Sequence, residues 1–528
     1  MKKTKIICLM LVLVMAVSVF AGCKKDENLG SGTKLESKLG DSYPLETDET
    51  LSWWVQPDAN TNAVAEEFGD TEWAKEFEKQ VGVDIDWIQP TGSVNEQFNL
   101  LLAANDLPDL MDRYWADFPG SGEKAVIDGY ITDLTDLVDN FAPNFKKIIA
   151  TDPSFEKELK TDNGVIYALP YFQYQVSTGG FIVRQDWLDE LGLATPDTIA
   201  DWDVMLKAFK EKKGAKAPLS TDIYTFKSGG LTGAFDIMLD WYVDDGKVKY
   251  GYYEPGYKDF LIKMNEWYNE GLFDKNFSVN DGTITSAQFM NGDTGVVYGG
   301  ITGGIAKYTE AAKANGSSHR SAGIPFPSNE EGKISEFGQL SSIFTTLSTA
   351  IAESCENKEL AMRVLDYMYS DAGHMLINYG VEGKSYTMVD GKPKFTDLIY
   401  NNPDGWTLAQ SLSLYARPYS AFSGYSSLDA YQQQLTSQEM RDAYNIWGKT
   451  NQAEHTLSRN IYPTKAEQAT ISRVQNAIST YADEMLVKFI SGVEPISNFD
   501  KYLSEMKKLG IEEWYAVQQA AYDRYLAR

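Results

Sequence analysis

Cysteine, histidine and positive charge are all scarce in this 528-residue chain. Its three cysteines stand at positions 8, 23 and 355 and its three histidines at 319, 374 and 455. The cysteines are too few and scattered for a disulfide framework, and Cys355 reads as an inert thiol. The histidines lie far apart without metal-ligand spacing, which excludes a zinc-type centre. Lysine and arginine number 48 against 75 acidic residues, a net charge of −27. So acidic a surface repels nucleic acid and anionic lipid, and neither is an expected partner. No apolar run after residue 21 is long enough to cross a bilayer. The Gly-Gly pairs at 179/180, 229/230, 299/300 and 303/304 lack the Lys-Ser/Thr of a phosphate loop and read as turns. A nucleophile elbow G-x-S-x-G is missing as well. With so many acids, chance pairs of carboxylates are inevitable, so they say nothing for a glycosidase.

What is present begins at the amino terminus. Lys2, Lys3 and Lys5 precede an apolar run from Ile6 to Ala21, the layout of a secretory signal peptide over residues 1–22. The run ends in Phe20-Ala21-Gly22-Cys23, which resembles the lipobox of bacterial lipoproteins, with Phe20 where that pattern usually has Leu. The resemblance implies cleavage before Cys23, lipid on its thiol, and a chain held on the outer face of the cell membrane. Residues 23–48 are rich in Gly, Ser, Lys, Glu and Asp and read as a flexible tether.

The rest of the chain is long enough for two or three domains. Strand signals at 51–55, 83–88 and 107–111 alternate with helical stretches at about 63–80 and 95–104, the rhythm of a parallel α/β sheet. Within the first of these, Trp53 and Trp54 point to opposite faces, so at least one belongs to a core. A second block starts with a strand at 180–183 and a helix at 186–191, with Arg184 and Asp186 bracketing that helix start. Thr195 and Pro196 then read as the start of a helix reaching about Lys212. Phe260, Leu261, Met264, Trp267 and Tyr268 recur at helical spacing up to Gly271. Thr464 and Glu467 form a capping box before a long apolar stripe ending at Gly492, and helices are expected over 499–509 and 511–526.

Several segments together resemble the family 1 extracellular solute-binding proteins of carbohydrate ABC importers, in their long lipoprotein branch. They include Leu101–Asp109 (LLAANDLPD), Gly129–Leu134 (GYITDL), Gly164–Pro170 (GVIYALP), Phe181–Leu188 (FIVRQDWL) and Phe489–Gly492 (FISG). The resemblance implies a two-lobed α/β clamp of the periplasmic-binding-protein type, with hinge crossovers and a helical C-terminal region. Lobe one is expected over 49–170 and 335–380, and lobe two over 171–334 and 381–528. Several long relatives carry a calcium loop of the form D-x-N-x-N-G-x-x-D-E-I-P after the helix that here ends near Lys212. The corresponding stretch, Lys212–Pro218 (KKGAKAP), has no carboxylate, so no metal is expected there.

Sugars are held by aromatic rings against their apolar faces and by planar polar groups on their hydroxyls. In open α/β sheets ligands lie beyond the carboxyl ends of strands. The candidates are therefore Gln56, Asp58 and Asn60 after the first strand, and Arg113, Tyr114 and Trp115 after the third. Tyr171, Gln173 and Tyr174 sit at the first crossover. Trp241, Tyr242, Tyr298, Trp406 and Arg417 are the candidates in lobe two. The expected protein is a non-enzymatic monomer without cofactor, anchored to the membrane by its lipid, that takes up an oligosaccharide and delivers it to ABC permease subunits. The alternatives are a lipid-anchored glycoside hydrolase or lyase, or the same fold with a peptide ligand or a sensor kinase as partner.

Overall fold

The computed structural model describes residues 34–40, 42–174, 176–416 and 423–528. The signal segment and Cys23 lie outside them. In chain order the strands are β1 (Thr50–Trp54), β2 (Asp84–Ile88), β3 (Leu110–Arg113), β4 (Leu169–Phe172), β5 (Gly179–Arg184), β6 (Leu219–Ser220) and β7 (Trp241–Asp244). They continue as β8 (Lys247–Tyr250), β9 (Val296–Gly300), β10 (Ser321–Ile324), β11 (Phe344–Ile351), β12 (Tyr386–Val389), β13 (Lys392–Phe395) and β14 (Gly424–Tyr425). One sheet has the order β14-β4-β11-β3-β1-β2 and a second β10-β5-β9-β6; β7-β8 and β12-β13 are separate hairpins.

Each sheet is the centre of a lobe. In the first, β2 and β3 run parallel to β1, and β11 lies antiparallel between β3 and β4. Alternation along β1 sends Trp53 into the core beneath the helix Glu72–Val81 and Trp54 into the core on the other face. Both rings are buried, and Trp53 stacks on Trp87 with centroids 5.3 Å apart. The buried Asp112 of β3 is held by Trp53 Nε1 at 3.0 Å and Thr349 Oγ1 at 2.6 Å, which offsets the cost of placing a carboxylate inside a sheet.

The second lobe packs its sheet against a larger aromatic core. The helix Gly256–Glu270 buries Phe260, Leu261, Met264 and Trp267 along one stripe and ends at Gly271 in the left-handed conformation. The helix Lys465–Ser491 starts at the Thr464/Glu467 capping box and stops at left-handed Gly492. With Phe499–Leu509 and Ile511–Ala527 it forms the helical C-terminal region.

Several expectations are corrected. The stretch expected as one helix over 63–80 breaks into Ala59–Val64, a short turn at Phe68–Asp70 and Glu72–Val81, because Ala65 is extended and Thr71 caps a new start. The third strand begins at Leu110, not 107. The helix expected from Thr195 starts at Ile199, where Thr198 and Asp201 form the capping box. Gly179, Gly180, Gly299 and Gly300 are paired strand residues of β5 and β9, not turns. A Cβ at Gly180 would lie 2.5 Å from the Trp447 indole, which is why that strand position has no side chain.

The tether expected to run to residue 48 is bound to the first lobe from Leu35 onward. Leu35 N donates to Asn140 Oδ1, Lys38 N to Glu359 Oε2 and Tyr43 OH to Arg363 O, and Leu45 is buried. The lobe division also differs. β14 adds to the first sheet beside β4, and the β12-β13 hairpin packs on the helix Asp371–Tyr379 through Tyr379, Tyr386 and Phe395. The chain therefore stays with the first lobe to about residue 433, where 381–528 was expected in the second. The short strand Gly424–Tyr425 has too little pattern to announce this return.

Candidate functional site

The strand directions bring one edge of each sheet to a common place. β1, β3, β4 and β14 are mutually parallel, so their carboxyl ends share one edge, and β4 leaves it directly for β5 of the other lobe. In the second sheet β6 and β9 end beside the start of β5. The two carboxyl edges are thus joined by the 173–178 crossover.

That crossover runs beside a second one at 339–343. Gln173 N donates to Ile343 O at 2.8 Å, Ser341 N to Val176 O at 3.0 Å, and Val176 N to Ser341 Oγ at 2.9 Å. Gln339 Oε1 accepts from both Thr178 N and Gly179 N, at 2.7 and 3.0 Å. The result is a two-stranded hinge. A third crossing at 434–437 leads to the helix Gln438–Trp447, which packs on β10. The second lobe's loop 456–463 also reaches the first lobe, through Ser458 and Asn460 on Glu158 and through Tyr462 OH, 2.9 Å from Tyr167 OH.

Against this frame the candidate residues separate. Tyr114 is 41% exposed directly after β3, and Tyr174 is 51% exposed just past β4. Arg113 is half-buried, its guanidinium 4.3 Å above the Phe98 ring and bonded to Asn95 Oδ1 at 2.6 Å. Gln56 Nε2 donates to Asp112 O at 2.6 Å, tying the ends of β1 and β3 together. Asp58 caps the helix Ala59–Val64 by accepting from Asn60 N and Thr61 N, and the Asn60 amide bonds it again. Gln173 Nε2 donates to Ser342 O and belongs to the hinge.

Other candidates are packing residues. Trp115 is buried against Phe98 and donates to Met111 O at 3.0 Å, so its ring is core and is not offered to a ligand. Tyr171 is buried within β4, and Tyr242 is buried with its ring edge-on to Phe337. Trp241 is half-buried and enclosed by Tyr250, Trp514 and Tyr515. Trp406 is half-buried in the turn before the helix Leu408–Tyr415, which packs on Ala59–Val64 in the first lobe, not the second. Arg417 lies outside the described residues. Arg184 and Asp186 form the structural pair expected, with Nε 2.9 Å from Oδ1. Cys355 is buried, its thiol pushed up to about 12 chiefly by that burial.

The residue missed by sequence reasoning is Tyr224. It stands on the short helix Ile223–Lys227 four positions after β6, is 65% exposed, and meets Tyr298 edge-on with centroids 6.3 Å apart. Tyr298 in turn lies edge-on to Phe181 in the second core. The signal that could have found Tyr224 is a two-residue strand, Leu219-Ser220, too short to stand out. Among the described residues only three aromatic side chains are exposed: Tyr114, Tyr174 and Tyr224. Each follows the carboxyl end of a strand at the joined edges. Tyr425, half-buried with its ring stacked on His374 at 4.0 Å, lies beside Tyr174.

Residues 212–218 carry a helix end. Gly214 is left-handed, Ala215 N returns to Phe209 O, and Lys216 pairs with Asp293. Among the described residues no group of three His, Cys, Asp or Glu could hold a metal ion, and no helix is long and apolar enough to cross a membrane.

Comparison with known proteins agrees with this architecture. The chain is similar to lipoprotein LipO of Bacillus subtilis, 26% identical over 411 residues that cover 74% of this chain and 76% of LipO. It is 23% identical over 558 residues to the fructooligosaccharide ABC transporter substrate-binding protein FusA of Streptococcus pneumoniae, covering 98% and 97% of the two chains. The solved structure of the alginate-binding protein AlgQ2 without calcium ion superposes with a TM-score of 0.70 at 24% identity, over 90% of this chain and 99% of that one. A sequence model of the family described as bacterial extracellular solute-binding protein matches residues 60–375. The chain therefore belongs to the bacterial extracellular solute-binding protein family.

Proposed function

We propose that this protein is the lipid-anchored capture component of a carbohydrate ABC importer, taking an extracellular oligosaccharide between its lobes and passing it to the permease without altering it. The observation that carries the reading is the position of Tyr114, Tyr174 and Tyr224. A chain with 31 tyrosines and 12 tryptophans buries or half-buries nearly all of its described aromatics and leaves three rings open, at the strand ends beside the hinge. Open rings on two lobes suit the two faces of a sugar chain, and the crossover ribbon suits closure of one lobe on the other. The names of the relatives, which include a fructooligosaccharide-binding and an alginate-binding protein, point to the same ligand class.

The test is calorimetric titration with a panel of oligosaccharides, with each mixture then examined for products. Covering about 50 Å² of one ring at about 25 cal/mol per Å² contributes about 1.3 kcal/mol. Tyr114→Ala together with Tyr224→Ala should therefore weaken binding by about a hundredfold while leaving the melting temperature nearly unchanged, since both rings are exposed. Unchanged affinity removes the proposed cleft. Shortened sugars in the mixture would establish a hydrolase or lyase instead.

A further inference from the structure

We infer that the oligosaccharide taken by this site is uncharged, and that chains of uronic acids are rejected. The inference rests on the carbohydrate reading above and concerns the charges that surround the three open tyrosines.

A uronate-binding cleft needs cations free to meet carboxylates, by guanidinium forks or ammonium groups. Among the described residues, the segments that leave the joined strand edges and the two crossovers beside them contain few. Arg113, at the end of β3, has its guanidinium against Phe98 and donates to Asn95. Lys227, after β6, is bonded to Asp483 Oδ2 at 2.8 Å. Lys333, ahead of the second crossover, is bonded to Asp236 Oδ1 at 3.0 Å. Each is already engaged by the protein.

Acids around these segments are placed differently. Asp222, two residues past β6, caps the Tyr224 helix, accepting from Thr225 N at 2.8 Å. Asp117 is exposed in the turn after Tyr114. Asp240 precedes β7, and its Oδ1 accepts from Trp241 N at 2.7 Å. Its side chain is exposed, and the surrounding protein raises its pKa through desolvation. The cations within electrostatic reach of Asp240 are Arg459 of the 456–463 loop and Lys227, so its carboxylate offsets the exposed Arg459. Carboxylates suit sugar hydroxyls, which donate hydrogen bonds, and repel other carboxylates. In a chain of net charge −27 the wider field acts in the same direction.

The experiment is titration of the protein with two sets of tetrasaccharides. One holds neutral fructans, glucans, galactosides, mannans and xylans, and the other holds tetragalacturonate and tetramannuronate. The best neutral ligand should bind at least tenfold more tightly than either uronate. A uronate that binds within tenfold of the best neutral sugar overturns this inference and leaves the carbohydrate reading standing; no binding to either set overturns the carbohydrate reading itself. A second arm combines Asp222→Asn with Asp240→Asn, in which Asn still caps the helix. Uronate affinity should rise severalfold relative to neutral affinity, and an unchanged ratio shows that these acids do not set the discrimination.

Discussion

His319 couples the stability of the second lobe to pH. It lies just before β10, buried, with its ring edge-on to Phe289 at 5.0 Å and Nε2 2.8 Å from Ser321 Oγ. Burial first, and then the charge of Arg184, hold its pKa at about 4, against an ordinary value of 6.5; Asp186 opposes the shift. A depressed histidine pKa means that the folded chain holds the ring neutral while the unfolded chain protonates it. The contribution is therefore complete above about pH 6.5 and is lost as pH falls toward 4. With those two values, the loss between pH 7 and pH 5 is about 2 kcal/mol. Urea unfolding followed by circular dichroism at both pH values, on the wild type and on His319→Gln, isolates it. Glutamine can still bond Ser321 but does not titrate, and the remaining groups cancel in the difference. The wild type should lose about 2 kcal/mol more than the variant between the two pH values. Equal losses would refute the assignment of a neutral, desolvated His319.

Gly180→Ala would drive a methyl into the Trp447 indole across 2.5 Å; the cost should be about 1–3 kcal/mol, read as a lower urea midpoint, and an unshifted midpoint contradicts the packing of β5 on that helix. Calcium added to chelator-treated protein should leave the melting temperature where it was, because 212–218 offers no carboxylate, and a rise of several degrees would place a calcium site elsewhere in the chain.

Local chemistry accounts for what was legible in advance. The Thr464/Glu467 box and Gly492 bound the longest helix because both signals act within one turn of the residues that carry them. The apolar stripe from Phe260 to Trp267 and the alternation at Trp53 and Trp54 likewise report their own burial. Errors arise where a distant partner decides. Thr195-Pro196 is a sound helix start on its own, but Thr198 wins because Ile199 N bonds to Ser328 O and the Thr198/Asp201 box closes there. Gly179 and Gly180 look like a turn until Gly299, Gly300 and Trp447 are brought against them. Residues 34–45 have a tether's composition, yet Asn140, Glu359 and Arg363 hold them.

The same distinction governs the site. The rule that ligands gather past strand ends led to Tyr114 because the pattern ending at Met111 is strong enough for its end to be located, whereas Tyr174 was reached through the crossover that the family resemblance implies. It also led to Trp115, one residue further, and there it failed. The turn Trp115–Asp117 rotates the indole back under the sheet to Met111 O, so a neighbour in sequence becomes a core residue. Tyr224 shows the converse. Its strand has only two residues and reads as nothing until β9 pairs with it, yet that pairing puts its carboxyl end at the hinge edge and the ring that follows into the open. Aromatic richness alone therefore identifies no site. Exposure sorts the rings, and exposure is set by pairings between segments far apart in the chain.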